Sequence, residues 1–415
     1  MADALANGNF TRFGLGISDK IRKQIYLLIS TLCVQIRSNV RYFAVQRRAL
    51  EIVGFDPSTP QLKLKHPIWA GILVLSLVSH NWPMAVYALQ DLSDLTRLTD
   101  NFAVVMQGSL STFKFLAIVM KRRRIGTLIH RLHQLNEEGI RSSFKGKELI
   151  LEENQLDKYV SKAFRNAAYG VIVASAIAPM LLGLLGYLRV GIFSPTTPME
   201  FNFWLDESRA IYYWPIYVWG VLGVAAAAWL AIATDTLFSW LAHNVVAQFR
   251  LLELLLEQKD DPEEVYLVKF IHRHRLALEL AEELSSIFAE IVFVKYMLSY
   301  LQLCMLAFRF SRSGWSSQVP FRAAFLVAIV IQLSSYCYGG EYLKQQSLGI
   351  SEAVYAHSDW PEMEPKRRRL WQMIIMRAQR PAKIFGYMFY VDLPLLLWVT
   401  RTAGSFLALL RTFAS

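Results

Sequence analysis

Seven mainly apolar windows limit this fold more than any other feature of the chain. They lie at 68–89, 102–120, 167–190, 216–240, 291–308, 323–338 and Leu393–Phe413. A bilayer span takes about 20 such residues, so the spacing predicts seven crossings. The window at 323–338 is short by itself, but Phe321 before it and Gly339-Gly340 after it let a helix continue. Composition agrees: 54% of the 415 residues are hydrophobic and the mean hydropathy is +0.29, more than a soluble core of this size needs. The expected class is an all-α polytopic membrane protein. Arg12, Lys20, Arg22 and Lys23 precede the first apolar run without a cleavable signal pattern, so that segment is expected to be retained.

Charge orients the chain. A net charge of +11 invites a nucleic-acid reading, but in a membrane protein the position of the charge matters more than its sum. Arg37, Arg41, Arg47, Arg48, Lys63 and Lys65 enrich the first 66 residues, and Lys121-Arg122-Arg123-Arg124 opens the segment after the second window. The connection at 91–100 instead carries three aspartates and only Arg97. The positive-inside rule then places the amino terminus in the cytoplasm and, after seven spans, the carboxyl terminus outside. Arg309, Arg312 and Arg322, in the outer segment between windows five and six, oppose this but are outweighed by the clusters at 121 and 366.

Two inner segments, 121–166 and 241–290, are far longer than a connection requires. Leu251, Leu254 and Leu255, then Leu276, Leu280, Leu284 and Ile287, recur at helical spacing with glutamates between them. They predict helices that leave the bilayer and pack on one another, with Asp260-Asp261-Pro262 as a turn. The organisation expected is a cytoplasmic segment 1–66, six spans with inner extensions over 67–340, an anchor region 341–390 and a final span 391–415. The anchor region holds a cationic helix running from Pro365 through Lys366-Arg367-Arg368-Arg369 to Pro381, with Leu370, Met373, Ile374 and Arg377 expected on one stripe.

Other chemistry is sparse. His272 and His274 are two apart, without an acid or cysteine at metal-ligand spacing, and read as solvated or capping rather than zinc-binding. Cys33, Cys304 and Cys337 form no paired motif, and the latter two lie in windows where cysteine acts as a small apolar residue. No metal or other cofactor and no enzyme chemistry is expected, because no phosphate loop and no set of nucleophile, base and orienter is present.

Specific resemblance comes from the carboxyl-terminal third. Tyr338-Gly339-Gly340-Glu341, Leu348 to Tyr355, Ser358-Asp359-Trp360, the basic run after Pro365, Met376-Arg377-Ala378-Gln379-Arg380-Pro381 and Thr402-Ala403-Gly404-Ser405-Phe406 follow one another as in insect odorant receptors. His274-Arg275-Leu276 and an outer loop with Pro198, Phe203, Trp204, Tyr212, Tyr213 and Pro215 add support. The resemblance covers about residues 265–413. It implies a subunit of an odorant-gated, non-selective cation channel, assembled with a common co-receptor into a heterotetramer in the plasma membrane of olfactory sensory neuron dendrites. Lipid, a small volatile organic ligand and that co-receptor are the implied partners, and nucleic acid is not.

The same resemblance implies a pore lined by the last helix, with Leu409 and Phe413 at its narrow part and Thr402 and Ser405 on the same stripe. Ordinary lipid or subunit contact, or bonding to the preceding helical turn, is the plainer reading of those four. Trp360, Arg377, Gln379, Arg380 and Pro381 would anchor subunits. Arg401 in the last span needs protein or water around it, with Asp392 as a candidate partner. An odorant needs an enclosed apolar pocket with few polar groups. Candidates are Met106, Gln107 and Ser111 on the second window, Met180, Gly183 and Tyr187 on the third, Tyr213, Tyr217 and Val221 on the fourth, and Phe325 on the sixth. Close packing of small residues and an interfacial aromatic belt explain several of them equally well. Rival classes are a gustatory-type channel, whose terminal tyrosine-threonine-type motif is missing here, a G-protein-coupled receptor of opposite orientation, and a transporter with internal symmetry.

Overall fold

The computed structural model describes residues 43–90, 95–190, 210–257, 263–312, 319–357 and 362–413, and the contacts below lie within the unit Val45–Ser415. A short helix, α1 (Ala44–Ile52), leads into an antiparallel pair, β1 (Phe55–Asp56) and β2 (Lys63–Leu64). Pro67 then opens α2 (Pro67–Leu89) at the first helical position, where its missing N–H breaks no helical bond.

Five long helices follow: α3 (Leu95–Ser142), α4 (Phe144–Val190), α5 (Ala210–Glu257), α6 (Glu263–Arg312) and α7 (Val319–His357). At 1.5 Å per residue the first four of these extend roughly 70–75 Å, more than twice the ~30 Å of bilayer hydrocarbon. The segments 121–166 and 241–290 are therefore continuations of membrane helices, as their helical periodicity predicts. Ser143 interrupts the first of them and caps α4, its Oγ accepting the Gly146 N–H at 3.0 Å. The turn expected at 260–262 lies outside the described residues.

Among the described residues six helices, α2 to α7, are long and apolar enough to cross a membrane. Their outward faces are apolar: Ile68, Ile72, Leu75, Val78 and Trp82 of α2 recur at three or four residues and are all at least half exposed. A soluble helix would bury that stripe; here it suits lipid. α5 is the most enclosed, with an unbroken buried run from Leu230 to Phe249, and it packs along α4, α3 and α7.

Where the helices continue past their apolar windows, buried side-chain networks hold them. The Glu153 carboxylate of α4 accepts from Arg250 Nη1 of α5 at 2.6 Å and from the Tyr342 hydroxyl of α7 at 2.6 Å, and His243 Nδ1 lies 3.1 Å from it. One turn along, Asp157 accepts from Gln46 of α1, Ser161 and Ser239. Lys121, from the basic cluster, pairs with Glu290 of α6 at 3.0 Å. Fully satisfied networks of this kind fix one register between helices.

The carboxyl-terminal part comprises α8 (Pro365–Ala378), the hairpin β3 (Phe385–Gly386) and β4 (Phe389–Tyr390), and α9 (Leu393–Phe413). α9 coincides with the seventh expected crossing and packs on α6 and α7. α8 lies on α7, but its buried face is Trp371, Ile374 and Ala378. Of the expected stripe only Ile374 is buried, while Leu370, Met373 and Arg377 are exposed. Trp371 turns inward because its ring meets Phe270 and Tyr266 of α6 at 5.3 and 6.3 Å.

Three further expectations are corrected. Tyr212, Tyr213 and Pro215 belong to the first turns of α5 and not to a loop, and the remainder of that loop lies outside the described residues. His274 is buried beside Phe270 rather than solvated. Asp392 does not meet Arg401; it caps α9 through the Leu395 N–H and lies 3.5 Å from Lys344, while Arg401 is exposed.

Candidate functional site

A cavity of about 60 Å³ opens where α2, α3, α4, α5 and α7 meet. The α5 wall is nearly all small: Gly223, Val224, Ala227 and Ala228 from the run Gly-Val-Ala-Ala-Ala-Ala, and Ala231 one turn on. Short side chains at successive turns leave space that the neighbours do not fill. Phe164, Ala168 and Val171 come from α4, and Phe321, Phe325 and Ile329 from α7.

Four polar side chains interrupt this lining: His80 and Asn81 on α2, Gln107 on α3 and Gln332 on α7. Glycines let the first two approach. A Cβ on Gly223 would sit 2.3 Å from the His80 ring, and one on Gly108 would sit 2.4 Å from the Asn81 amide oxygen. The His80 ring also lies 5.1 Å from Trp219. Gln107 is held from outside the cavity by Gln302 of α6, whose Nε2 reaches both Gln107 Oε1 and the Ala103 carbonyl.

Beneath the cavity, Gln332 connects to a fully buried cluster of charges. The Asp235 carboxylate on α5 accepts from Lys114 Nζ of α3 at 2.8 and 3.0 Å, from the Tyr336 hydroxyl of α7 at 2.7 Å, and from Gln332 Nε2. Lys295 of α6 donates to the Gln332 carbonyl at 3.2 Å and lies 3.3 Å from the centre of the Tyr336 ring. Three helices thus meet at one carboxylate in the apolar part of the bundle, and α6 joins the cluster through Lys295. An isolated ion there would cost several kcal/mol, so each charge has to be paired and hydrogen-bonded.

A 7tm odorant receptor family model matches residues 94–404. Odorant receptor 45a of Drosophila melanogaster is 79% identical over 90% of this chain and 98% of its own length. The chain belongs to the insect odorant receptor family. That is a family of receptors and not of enzymes. A more distant relative, odorant receptor 9a of Drosophila melanogaster, is 24% identical over 89% of the chain and 95% of its own length. In fold, the receptor is similar to the solved insect olfactory receptor OR5 from Machilis hrabei in complex with eugenol, with a TM-score of 0.78 at 17% identity, covering 91% of this chain and 99% of that one.

Of the ten pocket candidates, Gln107 and Phe325 line the receptor's cavity. Met106 and Ser111 are buried on α3 beside it but do not line it. Tyr213, Tyr217 and Val221 lie on α5 before the lining begins; Tyr213 and Tyr217 are buried, and the Tyr217 hydroxyl bonds the Ala176 carbonyl of α4. Gly183 is buried, whereas Met180 and Tyr187 are exposed. The inward stripe of α4 runs Phe164, Ala168, Val171, Ser175, Pro179, Gly183, which leaves Met180 one residue off it.

His80, Asn81 and Gln332 were not among the candidates, although each is a polar residue inside an apolar window. The same signal marks Lys114, Asp235 and Lys295. On α9, the Thr402 and Ser405 hydroxyls donate to the carbonyls of Trp398 and Arg401 at 2.7 and 3.2 Å, the plainer of their two readings. The side chains of Leu409 and Phe413, and Trp360 as a whole, lie outside the described residues. Arg377 Nη1 donates to the Arg380 carbonyl at 3.0 Å and Arg377 Nη2 lies 4.0 Å from Glu282; Gln379 and Arg380 are exposed and Pro381 is half-buried.

Proposed function

We propose that this receptor is the ligand-specific subunit of an odorant-gated, non-selective cation channel, which assembles with a common co-receptor into a heterotetramer in the plasma membrane of olfactory sensory neuron dendrites. The observation that carries this reading is a mostly apolar cavity with four polar side chains, set between five helices of an odorant receptor chain. Such a lining recognises a small volatile molecule by shape and by one or two polar contacts.

At about 60 Å³ the cavity holds a water or two and is smaller than a ten-atom odorant. Ligand therefore enters by displacing wall residues, and it favours whichever arrangement of α5 and α7 gives the larger space. Gln332 carries that displacement to the charge cluster. α9 lines the pore, with Thr402 and Ser405 facing ions and Leu409 and Phe413 at the constriction. The exposed apolar side chains Leu370, Met373 and Met376 of α8, together with Trp360, Arg377, Gln379, Arg380 and Pro381, meet neighbouring subunits.

Current recorded across a panel of volatiles, with the chain and the co-receptor co-expressed, tests the reading. Ala228→Trp fills the cavity from its small-residue wall. It is expected to abolish or shift the half-maximal concentration of an active volatile by more than about ten-fold while surface labelling stays within two-fold. An unchanged response would remove the cavity from the site.

Orientation has its own test. With the amino terminus and the basic extensions inside, an epitope appended to Ser415 is expected to be reached by antibody in unpermeabilised cells, and Asn9 of Asn9-Phe10-Thr11 to carry no glycan. A glycosidase-sensitive mass shift at Asn9 would reverse the topology and favour a G-protein-coupled receptor.

A further inference from the structure

A second hollow lies next to the cavity, on the outer side of α2 and α3. A groove of about 430 Å³ runs between α2 and α3 on their outer face, bordered by Val78, Trp82 and Ala85 from one helix and Val105, Ser109 and Phe113 from the other. Trp82 and Val78 are 71% and 52% exposed on a helix whose outward face is mainly apolar, so at this depth the groove faces hydrocarbon and not water. Asn81 is the one residue that lines both the groove and the cavity.

The partition at Asn81 is thin. Its amide presses directly on the α3 backbone at Gly108, where even a methyl group would lie 2.4 Å from Oδ1. That buried oxygen accepts no hydrogen bond of good geometry; the Asn81 side chain interacts with the adjacent His80 ring, so it is held by that neighbour and by packing rather than by a strong bond. The neighbouring polar group of the groove is occupied: the Thr112 hydroxyl donates to the Gly108 carbonyl at 2.9 Å.

We infer that the α2–α3 groove is the path by which a small apolar ligand, already dissolved in the bilayer, reaches the cavity, with the Asn81 side chain as its gate. Apolar molecules partition from water into hydrocarbon, so the lipid phase is the richer source of such a ligand. The occupant of the groove is the volatile in transit; continuity through a single side chain to the cavity is what distinguishes this groove from an ordinary resting place for an acyl chain. This inference rests on the odorant-binding reading of the cavity.

A route and a site differ in what they change: narrowing a route slows entry and exit alike and leaves equilibrium affinity in place. Ser109→Trp and Ala85→Trp fill the groove from positions that do not line the cavity. With the co-receptor co-expressed and an active volatile applied by rapid perfusion, each is expected to slow both the concentration-dependent onset and the washout of current by about five-fold or more, with the half-maximal concentration within about two-fold of the unsubstituted chain. Ile177→Trp, at an exposed position on α4, is expected to leave both rates unchanged. Asn81→Ala is expected to speed both rates. Unchanged rates in the two groove variants at normal surface labelling, the result if a lipid chain merely lodges there, would overturn the route while leaving the cavity reading intact. A shift in half-maximal concentration at unchanged rates would overturn it too, making the groove part of the site. If no volatile gates the unsubstituted chain, the odorant reading falls and the route with it.

Discussion

Asp235→Ala is expected to leave no measurable odorant-evoked current and little receptor at the cell surface. Its carboxylate is the one anion facing two buried ammonium groups, Lys114 and Lys295, and it also accepts from Tyr336 and Gln332. Removing one partner of a buried pair costs about 3–5 kcal/mol because the remaining charge keeps its desolvation penalty. Here Lys114, Tyr336 and Gln332 lose their acceptor together, and Lys295 loses the nearby negative charge. Lys114→Met is expected to be milder, since Asp235 then retains Lys295 nearby and the Tyr336 and Gln332 hydrogen bonds. Surface biotinylation of the two variants checks the order. Equal surface levels would show that Asp235 is not the point on which the four helices depend. The double variant Lys114→Met with Asp235→Asn, which removes one cation together with the anion, is expected to recover part of the loss.

The second large effect is at Gly340. A Cβ there would lie 2.0 Å from the Val391 carbonyl oxygen and 3.0 Å from its carbon, both backbone atoms that cannot rotate away. Gly340→Ala therefore forces α7 away from the segment between β4 and α9. We expect surface-delivered receptor, measured by labelling, to fall several-fold and odorant-evoked current to be lost. Gly339→Ala, whose added Cβ would make only ordinary contacts of 3.5 Å or more, is expected to stay close to normal. The pair separates close backbone approach from a general need for helix flexibility.

Those glycines were legible in the sequence as part of the Tyr338-Gly339-Gly340-Glu341 pattern, but their physical reason was not, because it depends on a residue fifty positions away. The membrane class and the long extensions were legible because each rests on local periodicity and composition over twenty or more residues. Sidedness within a helix was less so. Met180 and Tyr187 read as pocket residues on their chemistry, yet the stripe that turns inward on α4 passes beside them. Leu370 and Met373 likewise face outward because Trp371 finds Phe270 and Tyr266 on α6. His80, Asn81, Gln332 and the Lys114–Asp235 pair carry a readable signal, a strongly polar residue within an apolar window. Which of them meet in space depends on the packing of α2 to α7, which single-chain periodicity does not encode.

The unbroken length of the helices has a mechanical consequence. An α6 of 50 residues is about 75 Å long, so some 45 Å of stiff rod projects past ~30 Å of hydrocarbon. Pivoting such a rod by about 5° near the cavity carries its far tip roughly 4 Å, close to the width of a side chain. A disturbance too small to register around a volatile molecule thus becomes, by leverage alone, a displacement large enough to change which surfaces touch at the opposite end.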